Sequence, residues 1–68
     1  MTISARNKLA GKVTEILRGS VMAHLTIQVG DNLIESVITL RSVDEMNLKV
    51  GDQVNAIVKS TEVLIQKD

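Results

Sequence analysis

A chain of 68 residues with no cysteine, one histidine and eight Lys+Arg balanced by eight Asp+Glu has room for one domain, residues 1–68. Those counts exclude disulfides, thiolate metal sites and a multi-histidine zinc site within one chain. Zero net charge gives the chain as a whole no pull on polyanions, and the absence of Phe, Tyr and Trp leaves no ring on which nucleic-acid bases could stack.

A domain this small buries only about 60% of the surface its unfolded chain exposes, so its stability is marginal without a staple. Disulfide and structural metal are gone, and self-association remains; the 44% apolar content can supply an interface. The charge is uneven. Arg6, Lys8, Lys12 and Arg18 face only Glu15 in the first eighteen residues, a local excess suited to a small anion. The opening Met-Thr-Ile-Ser-Ala-Arg is polar where a secretion leader is apolar. No apolar run approaches the roughly 20 residues of a membrane span. The expectation is a soluble, cytoplasmic chain with no membrane partner.

Turn signals cut the chain into short pieces. Lys8 to Leu17 reads as a first strand of imperfect alternation, ending at Arg18-Gly19-Ser20. Val21 to Val29 alternates cleanly, with Val21, Ala23, Leu25, Ile27 and Val29 on one face and Met22, His24, Thr26 and Gln28 on the other. Gly30-Asp31-Asn32 supplies positive-φ residues for a tight hairpin. Leu33 to Leu40 returns as a third strand, with Ile34, Ser36, Ile38 and Leu40 inward. Ser42-Val43-Asp44-Glu45 fits a capping box, with Ser42 as N-cap and one or two helical turns to about Asn47. After a turn at Val50-Gly51-Asp52, Gln53 to Lys59 is a fourth strand. A short turn at Ser60-Thr61-Glu62 leads to a fifth over Val63 to Gln66. The pattern predicts an all-β fold, a five-stranded OB-like barrel with one short helix between strands 3 and 4.

No catalytic constellation is present. His24 has no partner nucleophile in a recognisable motif and sits on the more polar face of its strand, as a surface or interface residue does. The four glycines are single and scattered, so there is no phosphate-cradling loop. Two polar stretches remain, Ser4-Ala5-Arg6-Asn7 and Lys59-Ser60-Thr61. Each sets a cation beside hydroxyls and backbone N–H groups, the donor-only array that a tetrahedral oxyanion needs. An extended start would put Ser4 and Arg6 on one face. An ordinary basic N-terminus and an ordinary turn account for the same residues.

The run Ile3-Ser4-Ala5-Arg6-Asn7-x-Leu9-x-Gly11-x-Val13 resembles the opening of the molbindin, or Mop, family of molybdate- and tungstate-binding proteins. Ser36-x-Ile38-Thr39-Leu40-x-Ser42, Leu48-x-x-Gly51 and Ala56-x-x-Lys59-Ser60-Thr61-x-Val63 agree in order, over nearly the whole chain. The resemblance implies an OB-like barrel assembled as a homohexamer, a trimer of dimers, with oxyanion sites between subunits. Carried over, the main site uses Ser4, Ala5, Arg6, Thr39, Lys59 and Ser60. Ser42 is a weaker carry-over because an N-cap role already explains it. The hairpin at Gly30-Asp31-Asn32 looks slightly shorter than is usual in the family.

The resemblance thus implies a non-catalytic protein whose bound ligand is molybdate or tungstate, serving molybdenum storage or homeostasis, with no organic cofactor, no bare metal ion and no nucleic-acid partner. Arg6 and Lys59 would balance the two negative charges, or Arg6 would instead form a salt bridge across the interface to Glu62 or Asp44. Two other classes stay open. An OB-type nucleic-acid binder is opposed by the charge balance and the missing aromatics, and a purely structural or regulatory oligomerisation module would bind no oxyanion tightly.

Overall fold

The computed structural model describes residues 4–68; Ile3, which opens the molbindin-like motif, lies outside them. Four antiparallel strands form one sheet: β1 (Asn7–Arg18), β2 (Met22–Val29), β3 (Asn32–Thr39) and β4 (Gln53–Val58), in the order β3-β2-β1-β4. A six-residue helix, α1 (Leu40–Glu45), joins β3 to the loop before β4, and a 3-10 turn covers Ser60–Glu62.

β1 serves two partners in succession. Its first half pairs with β4, from Asn7 opposite Val58 to Lys12 opposite Gln53. Its second half pairs with β2, from Lys12 opposite Gln28 to Arg18 opposite Ala23. The imperfect alternation of this stretch has a cause. The register slips between Val13 and Glu15, so Thr14 is an extra residue in a β-bulge. The bulge lets Val13 and Ile16, three apart, both face the core. The Thr14 hydroxyl donates to the Thr26 carbonyl at 3.2 Å, holding the bulge down.

Gly11 stands where β1 presses on β2. A Cβ there would lie 2.6 Å from the Gln28 carbonyl oxygen and 2.8 Å from the Ile27 Cγ2 atom, inside any tolerable contact. Only a residue without a side chain permits this approach. At the β2–β3 hairpin Val29 pairs with Asn32, so the turn is the two residues Gly30-Asp31, with positive φ at Gly30 alone. That is the pattern of a II′ turn.

The inward residues of β2 are the ones alternation selects: Ala23, Leu25 and Ile27 are buried, while Val21 at the strand's entrance is exposed. They divide between two contiguous clusters. Val13, Ile27 and Ala56 hold the β1–β4 end, and Ala23, Leu25 and Val43 hold the helix end, with Ile16 packed against both.

Two expectations need correction. The helix N-cap is Thr39 and not Ser42: Thr39 has extended backbone angles and its side chain accepts the Ser42 N–H at 3.1 Å. The helix therefore begins three residues earlier than the capping-box reading places it, and Leu40 belongs to α1 instead of to the third strand. Its other end is a Schellman motif. Asn47 takes φ 50, its N–H reaches the Asp44 carbonyl, and the Leu48 N–H reaches the Val43 carbonyl.

The second correction concerns the barrel. Val63 to Gln66 forms no strand, so the sheet has four strands and stays open between β3 and β4. Leu64 is 94% exposed and Ile65 88%. Strand propensity says that a segment suits a pleated surface and not that an edge will receive it.

Gly11→Ala should cost roughly 1–3 kcal/mol by overpacking a close contact. Each kcal/mol lowers Tm by about 4–8 °C in a domain of this size, so differential scanning fluorimetry should read a clear drop. An unchanged Tm would mean that the β1–β2 approach is looser than the structure has it.

Candidate functional site

The two polar stretches at the chain's ends meet at one end of the sheet. The β1–β4 ladder ends at Asn7 opposite Val58, and Arg6 and Lys59 are the residues that directly adjoin this last pair, one on each strand. The strand alternation places both on the outer face: Val54, Ala56 and Val58 turn inward, and Lys59 is exposed, as is Arg6. Ser4 and Arg6 are exposed and Ala5 between them is buried, but Ser4 lies in a bend before β1, so the extended start on which their sharing of a face depended is not formed there. Ser60 is exposed at the start of the 3-10 turn.

Like charges directly across an antiparallel pair repel. Among the described residues neither Arg6 nor Lys59 makes an ion pair; Asp44, a candidate partner for Arg6, pairs with Arg18 at 2.9 Å. Lys8 and Lys12 follow Arg6 at alternate positions of β1 and are also exposed. They lengthen the cationic stripe. Period-two spacing in Arg6-x-Lys8-x-x-x-Lys12 is the sequence signal for it, and only the β4 register reveals that Lys59 joins it.

Thr39 and Ser42 lie elsewhere. Thr39 ends β3 and pairs with Met22 at the start of β2, which in turn lies beside the Arg18 end of β1. Arg6 and Lys59 adjoin the other end of β1. One chain therefore sets Ser4, Ala5, Arg6, Lys59 and Ser60 at one end of β1 and Thr39 with Ser42 near the other.

The Thr39–Ser42 pair has a definite donor inventory. The Thr39 hydroxyl donates to Ser42 Oγ at 2.9 Å, and its oxygen accepts the Ser42 N–H. Both roles of Thr39 are used inside the cap. The Ser42 hydroxyl accepts, so its own hydrogen is free to donate outward. The N-cap role that made Ser42 the weaker carry-over belongs to Thr39.

His24 lies on the outer face of β2, with Nε2 2.9 Å from Glu35 Oε1 in an approach not aligned as a hydrogen bond. It sits between Leu17 and Val37 in the cross-strand row, both exposed. Among the described residues no three His, Cys, Asp or Glu side chains gather as metal ligands, and no helix is long and apolar enough to cross a membrane.

Residues 3–65 match the TOBE domain family model. The chain belongs to the TOBE domain family, and within it to the molbindins. It is 47% identical over 66 residues to molybdenum-pterin-binding protein 2 of Clostridium pasteurianum, covering 96% of this chain and 97% of that one. Its fold matches a molybdate-binding protein from Sporomusa ovata with a TM-score of 0.94 and 42% identity, over 98% of this chain and all of that one. A molybdate-bound form of the cytoplasmic molybdate-binding protein ModG aligns with a TM-score of 0.83 and 36% identity, over 88% of this chain and 43% of the longer one. The molbindin family is one of binding proteins and not of enzymes.

The cap geometry separates a structural hydroxyl from an available one. Thr39→Val should lower stability by about 1 kcal/mol through loss of the cap. Ser42→Ala keeps the backbone N–H that Thr39 receives and should cost clearly less. Urea denaturation of both variants checks the order, and a larger loss for Ser42→Ala would restore Ser42 as the capping residue.

Proposed function

We propose that this chain binds molybdate, and tungstate by the same contacts, at sites between copies of itself in the cytoplasm, as a non-catalytic component of molybdenum storage or homeostasis. The observation that carries this reading is that Arg6 and Lys59 adjoin the last pair of the β1–β4 ladder, one on each strand, with no ion pair to an acidic residue among the described residues. Two opposed cations repel until a dianion sits between them. Ser4 and Ser60 add hydroxyl donors and Ala5 a backbone N–H, replacing the water the anion loses. The similarity to the Sporomusa and ModG molybdate-binding proteins supports molybdate as that anion.

Where the residues lie supports burial between copies. Thr39 and Ser42 stand near the opposite end of β1 from Arg6 and Lys59, an arrangement that favours their joining the site from a second molecule. In this reading one copy supplies Ser4, Ala5, Arg6, Lys59 and Ser60, and another supplies Thr39 and Ser42. Exclusion of water then strengthens each charge-assisted bond. A homohexamer built as a trimer of dimers is the assembly that the family resemblance implies. The missing staples of so small a domain and the exposed apolar residues Leu17, Leu33, Val37 and Val50 favour association.

One observation favours a second reading. The Clostridium relative is named for molybdenum-pterin binding, and an apolar cleft of about 250 Å³ lies between β3 and β4. The chain offers no aromatic ring to stack on a pterin. Calorimetry with a soluble pterin beside molybdate separates the two; heat from the pterin alone would move the site to the cleft.

Molybdate and tungstate should bind and raise Tm, with phosphate doing so far less. A donor-only site leaves the proton of hydrogen phosphate without an acceptor. Equal stabilisation by phosphate would reduce the site to a generic anion patch.

Lys59→Ala should weaken molybdate binding by roughly 2–5 kcal/mol, the cost of truncating one partner of a buried charge pair. Lys67→Ala, in the exposed tail, should change it little. Parallel titrations check this, with circular dichroism to confirm folding. Equal small losses would make Lys59 a solvated surface charge.

A further inference from the structure

The outer face of the sheet changes sign along β1. Lys8 and Lys12 lie on it, opposite Ile57 and Gln53 of β4, and both are exposed. Lys12 has Gln28 of β2 on its other side. Beyond the bulge the next charged residue of β1 is Glu15, exposed opposite Thr26, and Thr26 in turn faces Glu35 of β3. The face is therefore basic from Lys12 back to Asn7, where Arg6 and Lys59 adjoin the last β1–β4 pair, and acidic past the bulge.

The two lysines are not engaged in the fold's own ion pairs. Among the described residues those pairs are Arg18 with Asp44, His24 with Glu35 and Arg41 with Glu45. The ladder neighbours of Lys8 and Lys12 are Ile57, Gln53 and Gln28, all uncharged. Lys12 stands five residues from Asn7, roughly 16 Å along the strand. Contact with an anion beside Asn7 is out of its reach, so its influence there is that of its field.

We propose that Lys8 and Lys12 form an entry path for the dianion. Their field draws it along the outer face of β1 towards Arg6 and Lys59, while Glu15 and Glu35 repel it from the other end. The path rests on the oxyanion site of the proposed function and adds to it two residues that act on the rate of capture. A fixed charge that a ligand passes on its way in raises the association rate and leaves dissociation nearly unchanged. Salt decides how far each lysine reaches. The screening length is about 30 Å at about 0.01 M ionic strength and about 8 Å at about 0.15 M. Both lysines therefore act in dilute salt, and Lys8, the nearer one, dominates at the higher value.

The test is kinetic and uses the full chain. Two double variants, Lys8→Gln with Lys12→Gln and Lys8→Glu with Lys12→Glu, are compared with the unmutated protein. Calorimetry gives Kd for molybdate, rapid filtration of radiolabelled molybdate gives the dissociation rate, and the two together give the association rate. At about 0.01 M ionic strength the glutamine pair should slow association roughly threefold and the glutamate pair roughly tenfold. At about 0.15 M the loss in the glutamate pair should shrink to about two- to threefold. Dissociation rates should stay at the unmutated value. Circular dichroism checks folding, and if the glutamate pair does not fold, the glutamine pair and its salt dependence carry the test. Unchanged association in dilute salt, or a change confined to dissociation and insensitive to salt, overturns the entry path. An unmutated chain that takes up no molybdate removes the proposed function and the path with it. Normal uptake with unaltered association in the variants removes the path alone.

Discussion

The fold depends on one strand that holds two partners. Lys12 faces Gln28 of β2 and Gln53 of β4, and the ladders run away from it in opposite directions along β1. A strand that hands over in this way has to bend, and two local features let it. Gly11 admits the β2 backbone at a distance no Cβ could share, and the bulge at Thr14 turns Val13 and Ile16 to the same side. Val13 also anchors the approach to β4, donating its N–H to the Asp52 carbonyl at 3.0 Å and accepting the Gly51 N–H at 2.8 Å. The position of β4 is thereby tied to the bend, and with it the ladder that ends at Asn7 and Val58, the residues adjoining Arg6 and Lys59.

The same bend divides the charge. At the helix end of the sheet cations are neutralised locally: Arg18 pairs with Asp44 and Arg41 with Glu45, each at 2.9 Å. These pairs are exposed and contribute little to stability. Their consequence is the distribution they leave behind. With acidic residues engaged there, the β1–β4 end keeps Arg6, Lys8, Lys12 and Lys59, opposed across the ladder only by neutral Gln53, Asn55 and Ile57 and by each other. A chain of zero net charge thus still concentrates positive charge at one end of its sheet.

Much of this was legible in the sequence, and the failures have identifiable causes. Alternation located β2 and the inward faces of β3 and β4 because those strands are regular, and Gly30 marked the hairpin because its φ is positive. Thr39 and Ser42 are both hydroxyls preceding a helix. Ser42-x-x-Glu45 has the form of a capping box, whereas the true cap is decided by which residue still has extended backbone angles. The fifth strand failed for a different reason. Val63-Leu64-Ile65-Gln66 reads as a strand in any local sense, but pairing belongs to the partner edge, which no local pattern encodes. The site lies between these cases. Its residue types suggest an oxyanion, while the placing of Arg6 and Lys59 beside the last pair of one ladder, and of Thr39 near the opposite end of β1, are consequences of register and topology.

The composition of the core bears on the proposed link between assembly and ligand binding. The buried apolar residues among those described are Ala5, Val13, Ala23, Leu25, Ile27, Val43 and Ala56, three of them alanines and none aromatic. Such side chains bury little area each, and free energy follows area. Leu17, Val37, Leu64 and Ile65 meanwhile remain in water. A molecule that leaves this much apolar surface outside gains more from a second copy than from further compaction. If the anion's ligands are split between copies, the anion binds the assembled state and not the separated chains. Mass action then requires each bound anion to strengthen association, and each association step to raise affinity for the anion. In the proposed site Arg6 and Lys59 would set the sign of that coupling: without an anion they would oppose burial, and with one they would favour it.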